Sequence, residues 1–145
     1  MVTQSAIDNE TAERLRAVIG RIQRRLRATR AGEGLTPSQI SVLFTLVGRG
    51  PLGISELAEL EALNPTMLSR IVAHLCRQGL VHREAHASDR RAATVSATAA
   101  GRRLRERVQR ERARLLATQL EAVDPQAREQ LLAALPALEE LADLL

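Results

Sequence analysis

Between Ile54 and Ala97 the period of the hydrophobic pattern changes once, and the place where it changes constrains the fold more than any other feature. Asn64-Pro65 opens a segment in which Leu68, Ile71, Val72 and Leu75 recur at helical spacing. Asn64 suits the cap, and Pro65 suits a first helical position that needs no amide hydrogen. The segment stops at Gly79, which fits the left-handed position after a helix, and Leu80 can fold back on Leu75 in a Schellman ending. A shorter helix precedes it, Ile54-Ser55-Glu56-Leu57-Ala58-Glu59-Leu60, with Ser55 as its expected cap and acids in its first turn. Downstream, Leu80 to Glu84 is extended in character, and Ala93-Thr94-Val95-Ser96-Ala97 alternates with period two. Between these runs lies a polar loop, Ala85 to Ala92, containing Asp89-Arg90-Arg91. Two helices joined by a turn of three or four residues, followed by a hairpin with a basic tip, predict a winged helix-turn-helix.

The flanks read as helix. Leu15, Val18, Ile19, Ile22 and Leu26 place an amphipathic helix over about residues 10–29, broken by Gly32 and Gly34. Thr36-Pro37-Ser38-Gln39 is a capping box, and the helix it starts presents Ile40, Leu43, Phe44 and Val47. After the hairpin, Thr98 can cap a long Arg-rich helix, and Asp124-Pro125 a last one carrying Leu131, Leu135, Leu138 and Leu141. The expected fold class is mainly α with a small β-hairpin wing. Its expected division is an N-terminal helix over 1–34, the winged helix over 35–98 and C-terminal helices over 99–145.

Composition excludes several functions. The chain has 145 residues, 45% apolar and 26% charged, which suits one domain with an extension and argues against disorder. Phe44 is the single aromatic, so no platform exists for stacking single-stranded bases, sugars or methylated cations. Cys76 is the single cysteine, and no disulfide framework is available to it. No apolar run reaches the roughly 18 residues a membrane span needs. The first ten residues are polar and acidic, unlike a signal peptide, and a cytoplasmic protein is expected. All 21 cations are Arg, and their placement says more than the net charge of +4. Residues 101–114 hold seven Arg against two acids, whereas residues 115–145 hold one Arg against six acids.

On a helical wheel over 65–77, Leu68, Ile71, Val72 and Leu75 form the buried stripe. Thr66, Arg70, Ala73 and Arg77 fall opposite, with Ser69 and His74 at the flanks. No acid occurs from Asn64 to Leu80, unusual for a face that serves solubility alone. Small residues let a helix enter the major groove deeply, Arg70 can make a bidentate contact to guanine, and Thr66 and Ser69 can bond phosphate or base edges. Arg90 and Arg91 at the hairpin tip have the reach to enter the flanking minor groove, with Asp89 placed to orient one of them. The expected DNA-facing set on the second helix is Asn64, Pro65, Thr66, Met67, Ser69, Arg70, His74 and Arg77. Thr36 and Ser55 join it from the two earlier helix starts, and Asp89, Arg90 and Arg91 from the wing. Solvation, or pairing with nearby acids, is the alternative for Arg70 and Arg77.

Over roughly residues 35–104 the chain resembles the MarR family of winged-helix transcriptional regulators. Leu35-Thr36 with Gln39 resembles the opening of that family's second helix, and Ile54 to Ala58 its third. Asn64-Pro65-Thr66-Met67-Leu68-Ser69-Arg70 resembles the start of its recognition helix, and Leu75 with Gly79-Leu80-Val81 and Arg83 the exit into the wing. The wing signature, Asp-x-Arg followed after five residues by Leu-Thr, runs here as Asp89, Arg91, then Ala97-Thr98, with Gly101 and Leu104 in register. Ala97 departs from the usual Leu. The resemblance implies a homodimer joined through its terminal helices, bound to pseudo-palindromic double-stranded DNA and more often repressing than activating. It also implies a small-molecule effector that weakens DNA binding from between the dimerisation helices and the DNA-binding domain. A monomer whose terminal helices fold back is the alternative to the dimer. A winged helix used for protein–protein contact is the alternative to sequence-specific DNA binding.

Other chemistry finds little support. His74, His82 and His86 with Cys76 lack zinc-ligand spacing, so no metal or cofactor is expected. Cys76 falls at the edge of the buried stripe and reads as packing. No nucleophile–base pair and no Gly-rich phosphate loop occurs, so an enzyme is not expected. The Arg run from Arg102 to Arg114 points around its whole helix and reads mostly as solvated or paired.

Overall fold

The computed structural model describes residues 8–28, 32, 34–86 and 89–145, and at residues 86 and 89–92 the backbone alone. Helix α1 (Asn9–Arg27) starts at Asp8, whose carboxylate accepts the Thr11 N–H at 2.7 Å, a cap not read from the sequence. Hydrogen bonds from the Thr11 side chain and backbone hold the Asp8 carboxyl below its usual pKa. Helix α2 (Pro37–Arg49) opens with the expected capping box. Thr36 Oγ1 accepts the Gln39 N–H at 3.3 Å, and Gln39 Oε1 accepts the Thr36 N–H at 2.8 Å.

The sheet has three strands, β1 (Leu52–Gly53), β2 (Val81–His86) and β3 (Asp89–Ala97), in the order β1-β3-β2. β1 was not expected: two residues carry no readable period, and only the pairing of Leu52 with Val95 and of Gly53 with Thr94 makes them a strand. The same pairing corrects the start of helix α3 (Ile54–Leu60). Gly53 is already extended, with φ −66° and ψ 152°, so it is the cap, without a side-chain bond, and Ser55 lies inside the first turn. β2 and β3 pair regularly from Val81↔Ala97 to Glu84↔Thr94, then shift register before His86↔Asp89. The strands therefore extend into the expected loop at 85–92, because ladder hydrogen bonds need no apolar side chains where a hairpin projects beyond the core.

Helix α4 (Pro65–Arg77) behaves as its sequence predicts. Asn64 Oδ1 accepts the Met67 N–H at 2.8 Å, and Leu68, Ile71, Val72 and Leu75 are buried. At its end Gly79 has φ 68°, its N–H reaches Cys76 O at 2.9 Å, and the Leu80 N–H reaches Leu75 O at 3.0 Å. These are the two bonds of a Schellman ending. The core joins these side chains to Val42, Leu43 and Leu46 of α2, Leu57 of α3, and Val81 and Val95 of the sheet. Cys76 packs half-buried against it.

Helix α5 (Ala99–Glu121), capped by Thr98, contributes Leu104 and Val108 to that core and then runs outward. Beyond it the expected single helix is two, α6 (Pro125–Ala133) and α7 (Leu135–Asp143), joined at Ala134. Pro136 explains the break: it has no N–H to give, and its ring would clash with the carbonyl four residues earlier. Asp124 caps α6 as expected, accepting from the N–H groups of Gln126 and Ala127. Neither α1, α6 nor α7 contains a buried residue. Among the described residues, no helix is long and apolar enough to cross a membrane.

Candidate nucleic-acid interface

The outer face of α4 is open along its whole length. Thr66, Ser69, Arg70, Ala73 and Arg77 are exposed, and Met67 at the first turn is 46% exposed. The opposite stripe anchors the helix on α2 and α3, so this face is presented by a fixed scaffold. His74 departs from the group. It is half-buried, and its Nε2 is buried with no hydrogen-bond partner among the described residues. Among the expected residues whose side chains are described, it is the least available to an outside partner.

The amino end of α4 offers less to an anion than a generic helix start. Pro65 has no N–H, and the Met67 N–H is taken by Asn64, which leaves the Thr66 N–H. Asn64 accepts through Oδ1, and its amide nitrogen stays free to donate. Thr36 is similar: its oxygen receives the Gln39 N–H while its hydroxyl hydrogen remains available, and the residue is exposed. Ser55 and Pro65 are exposed as well. The backbone of Asp89, Arg90 and Arg91 begins β3, and the side chains of these three residues lie outside the described part of the structure. On β2 the outward His82 Nε2 lies 3.5 Å from Glu84 Oε1, two residues along the same strand face.

Two members of the Arg run do something the sequence reading missed. Arg105 and Arg112 are half-buried over the ring of Phe44, their guanidinium carbons 5.7 and 5.6 Å from its centroid. They stand two helical turns, about 10.5 Å, apart on α5, a spacing that lets the ring sit between them. A cation over an aromatic face is attracted by the ring quadrupole. The signal was present in the sequence: at 100° per residue, positions 105 and 112 fall on the same side of α5 as Gly101, Leu104 and Val108, the three buried residues of that helix.

Arg112 also borders a cavity of about 780 Å³ between α1, α2, α5 and the turn after α3. Leu35, Ile40, Phe44 and Leu63 supply apolar wall, and Arg27, Arg49 and Arg112 supply positive charge. Glu61 lies on the wall with its carboxylate accepting the Thr45 hydroxyl. Burial, and then the neighbouring charge of Arg27, pull the Arg112 pKa down. Its Nε and that of Arg105 are buried without a hydrogen-bond partner among the described residues.

Comparison with known proteins agrees with this architecture. The MarR family matches residues 35–93, from the approach to α2 to the middle of β3. An uncharacterized HTH-type transcriptional regulator of Mycobacterium leprae is 31% identical over 136 residues, covering 94% of this chain and 95% of the relative. The HTH-type transcriptional repressor MdtR of Bacillus subtilis is 31% identical over 87 residues, 60% of this chain and 56% of MdtR. A MarR family protein from Bacillus stearothermophilus superposes with a TM-score of 0.72 at 25% identity, covering 95% of this chain and 99% of that one. Since the likeness runs beyond the helix-turn-helix and hairpin into the flanking helices, the chain belongs to the MarR family of winged-helix regulators, which act on transcription by binding DNA and are not enzymes.

Proposed function

We propose that two copies of this chain form a dimer that binds a pseudo-palindromic operator in double-stranded DNA and represses transcription there. The observation that carries the reading is the acid-free outer face of α4, where Arg70 and Arg77 stand exposed among small and hydroxyl side chains. In this reading residues 65–78 enter the major groove and the wing at 85–92 follows the minor groove. Thr36, Ser55 and Asn64 donate to phosphates, with Arg90 and Arg91 at the wing tip.

The winged helix occupies 35–98, and the helices of 1–34 and 99–145 join the two copies. Support for the dimer comes from helices that bury nothing within one chain: Ile19 and Ile22 of α1 are 40% and 45% exposed, and Leu131 and Leu135 of α6 and α7 are 47% and 48% exposed. Apolar faces of this extent are stabilised by a partner surface. A two-fold dimer would place its recognition helices in successive major grooves about 34–36 Å apart. The repressing direction follows MdtR, and the site of action is the chromosome in the cytoplasm. A small anionic effector that releases the DNA fits the cavity beside Arg27 and Arg112. Both cations face an apolar wall, and Arg105 and Arg112 already occupy Phe44, the one ring an aromatic ligand could stack on.

Selection of bound sequences from random duplex DNA, repeated across a salt series, tests this reading. The expected result is a two-half-site consensus whose affinity falls by orders of magnitude between about 50 and 200 mM salt. A flat salt profile with no enriched sequence would replace DNA by a protein partner.

A further inference from the structure

The end of α4 and the start of α5 are joined by a compact set of contacts that link the two helix termini directly. Thr98 Oγ1 donates to Gly79 O at 2.7 Å, and the Thr98 N–H donates to Leu80 O at 3.0 Å. The same Oγ1 accepts the Gly101 N–H at 3.1 Å, so one hydroxyl caps α5 and holds the Schellman turn that ends α4. Gly101 is buried against this turn. A Cβ at position 101 would overlap the Leu80 carbonyl oxygen and lie 3.0 Å from Leu43 Cδ1. The Leu80 carbonyl is backbone, fixed by the Thr98 N–H it accepts and by the bond from the Leu80 N–H to Leu75 O, so it cannot swing aside as the tip of a long side chain would.

We propose that Thr98 and Gly101 are positioning residues that set the angle between the recognition helix and α5, and through it the half-site separation the dimer accepts. The inference rests on the dimeric DNA-binding reading above. In that reading α5 leads from the winged helix toward the other subunit, and α4 enters the groove. Their relative angle is therefore the link between the dimer axis and the DNA, and the two-fold axis doubles any change in it. The second attachment of α5, Leu104 and Val108 in the core with Arg105 and Arg112 against the Phe44 ring, lies further along the helix and is made by side chains alone. The clasp at Gly79, Leu80, Thr98 and Gly101 is mostly backbone, so it is the stiffer of the two.

The experiment uses the full-length chain and the operator selected for it, remade as a series with base pairs added or removed between the half-sites. Wild type should show one sharp optimum. Gly101→Ala should lose about tenfold at that optimum and shift its preferred separation by a base pair or more. Thr98→Val should flatten the profile, and Thr98→Ser, which keeps the hydroxyl, should restore it. This pair keeps the test decisive if Gly101→Ala does not fold. A profile of unchanged shape, lowered by one factor at every separation and accompanied by a matching fall in thermal stability, would overturn the proposal and leave the clasp as packing alone. If wild type selects no two-half-site DNA, the operator reading fails and this inference falls with it. If wild type binds and only the profile shift is missing, this inference fails alone.

Discussion

Arg70 lies on the outer face of α4 between Thr66 and Ala73, one turn on from the helix start. Its replacement by Ala is expected to cost about 1–3 kcal/mol of binding and to relax preference at one base pair, as a guanine contact would. Binding to operators with each base changed in turn checks this, and equal weakening on all of them would make Arg70 a phosphate contact. Asp8 supports a pH prediction. Its folded-state pKa lies below the ordinary value of 3.8, so the cap stabilises α1 above that pH and is lost as pH falls through the lowered value. The protection of the Thr11 amide relative to its intrinsic exchange rate should fall in wild type only below the ordinary pKa of 3.8 and already be low at neutral pH in Asp8→Ala. At this scale the sequence was readable wherever the chemistry is local. The side chains of Thr36, Asn64, Thr98 and Asp124 all cap the helices their spacing predicts. Ser55 does not, because its helix is started by a strand partner some forty residues away, which no local pattern records.

The ending of α4 is the element on which most of the rest depends, since Gly79 turns the chain from α4 into the hairpin. Its φ of 68° is costly for a side-chain-bearing residue. Gly79→Ala is therefore expected to destabilise the fold by about 1–2 kcal/mol, read as a lower urea midpoint with an unchanged slope. An unchanged midpoint would mean the turn relaxes to another conformation. Helix identities and most of their bounds follow from periodicity and caps. The exceptions have separate causes. β1 is too short to show a period, the hairpin arms are extended by backbone pairing, and Pro136 divides the last helix at a position the leucine spacing bridges smoothly. In α5 the high density of Arg hid the fact that two of its members share a face with Leu104 and Val108.

Across the whole molecule one core joins the winged helix to Leu104 and Val108 of α5, whereas α1, α6 and α7 contain no buried residue. Leu138 on α7 is 40% exposed, as is Ile19 on α1. Leu138→Glu, or Ile19→Glu, should leave the winged helix folded and convert the proposed dimer to monomer by light scattering. DNA affinity should then fall by about 10²-fold or more, because the second half-site no longer binds at high effective concentration. A variant that stays dimeric would move the interface elsewhere. By itself the sequence determined the order of the helices, the place of the hairpin, the buried stripe of α4 and the acid-free outer face it leaves exposed. Each of these follows from spacing within one segment. Only the tertiary structure decided where β1 pairs, how Thr98 reaches Gly79, and that Arg105 and Arg112 meet Phe44 beside a cavity. Those features join residues far apart in the chain, and their energies depend on distances that no single segment encodes.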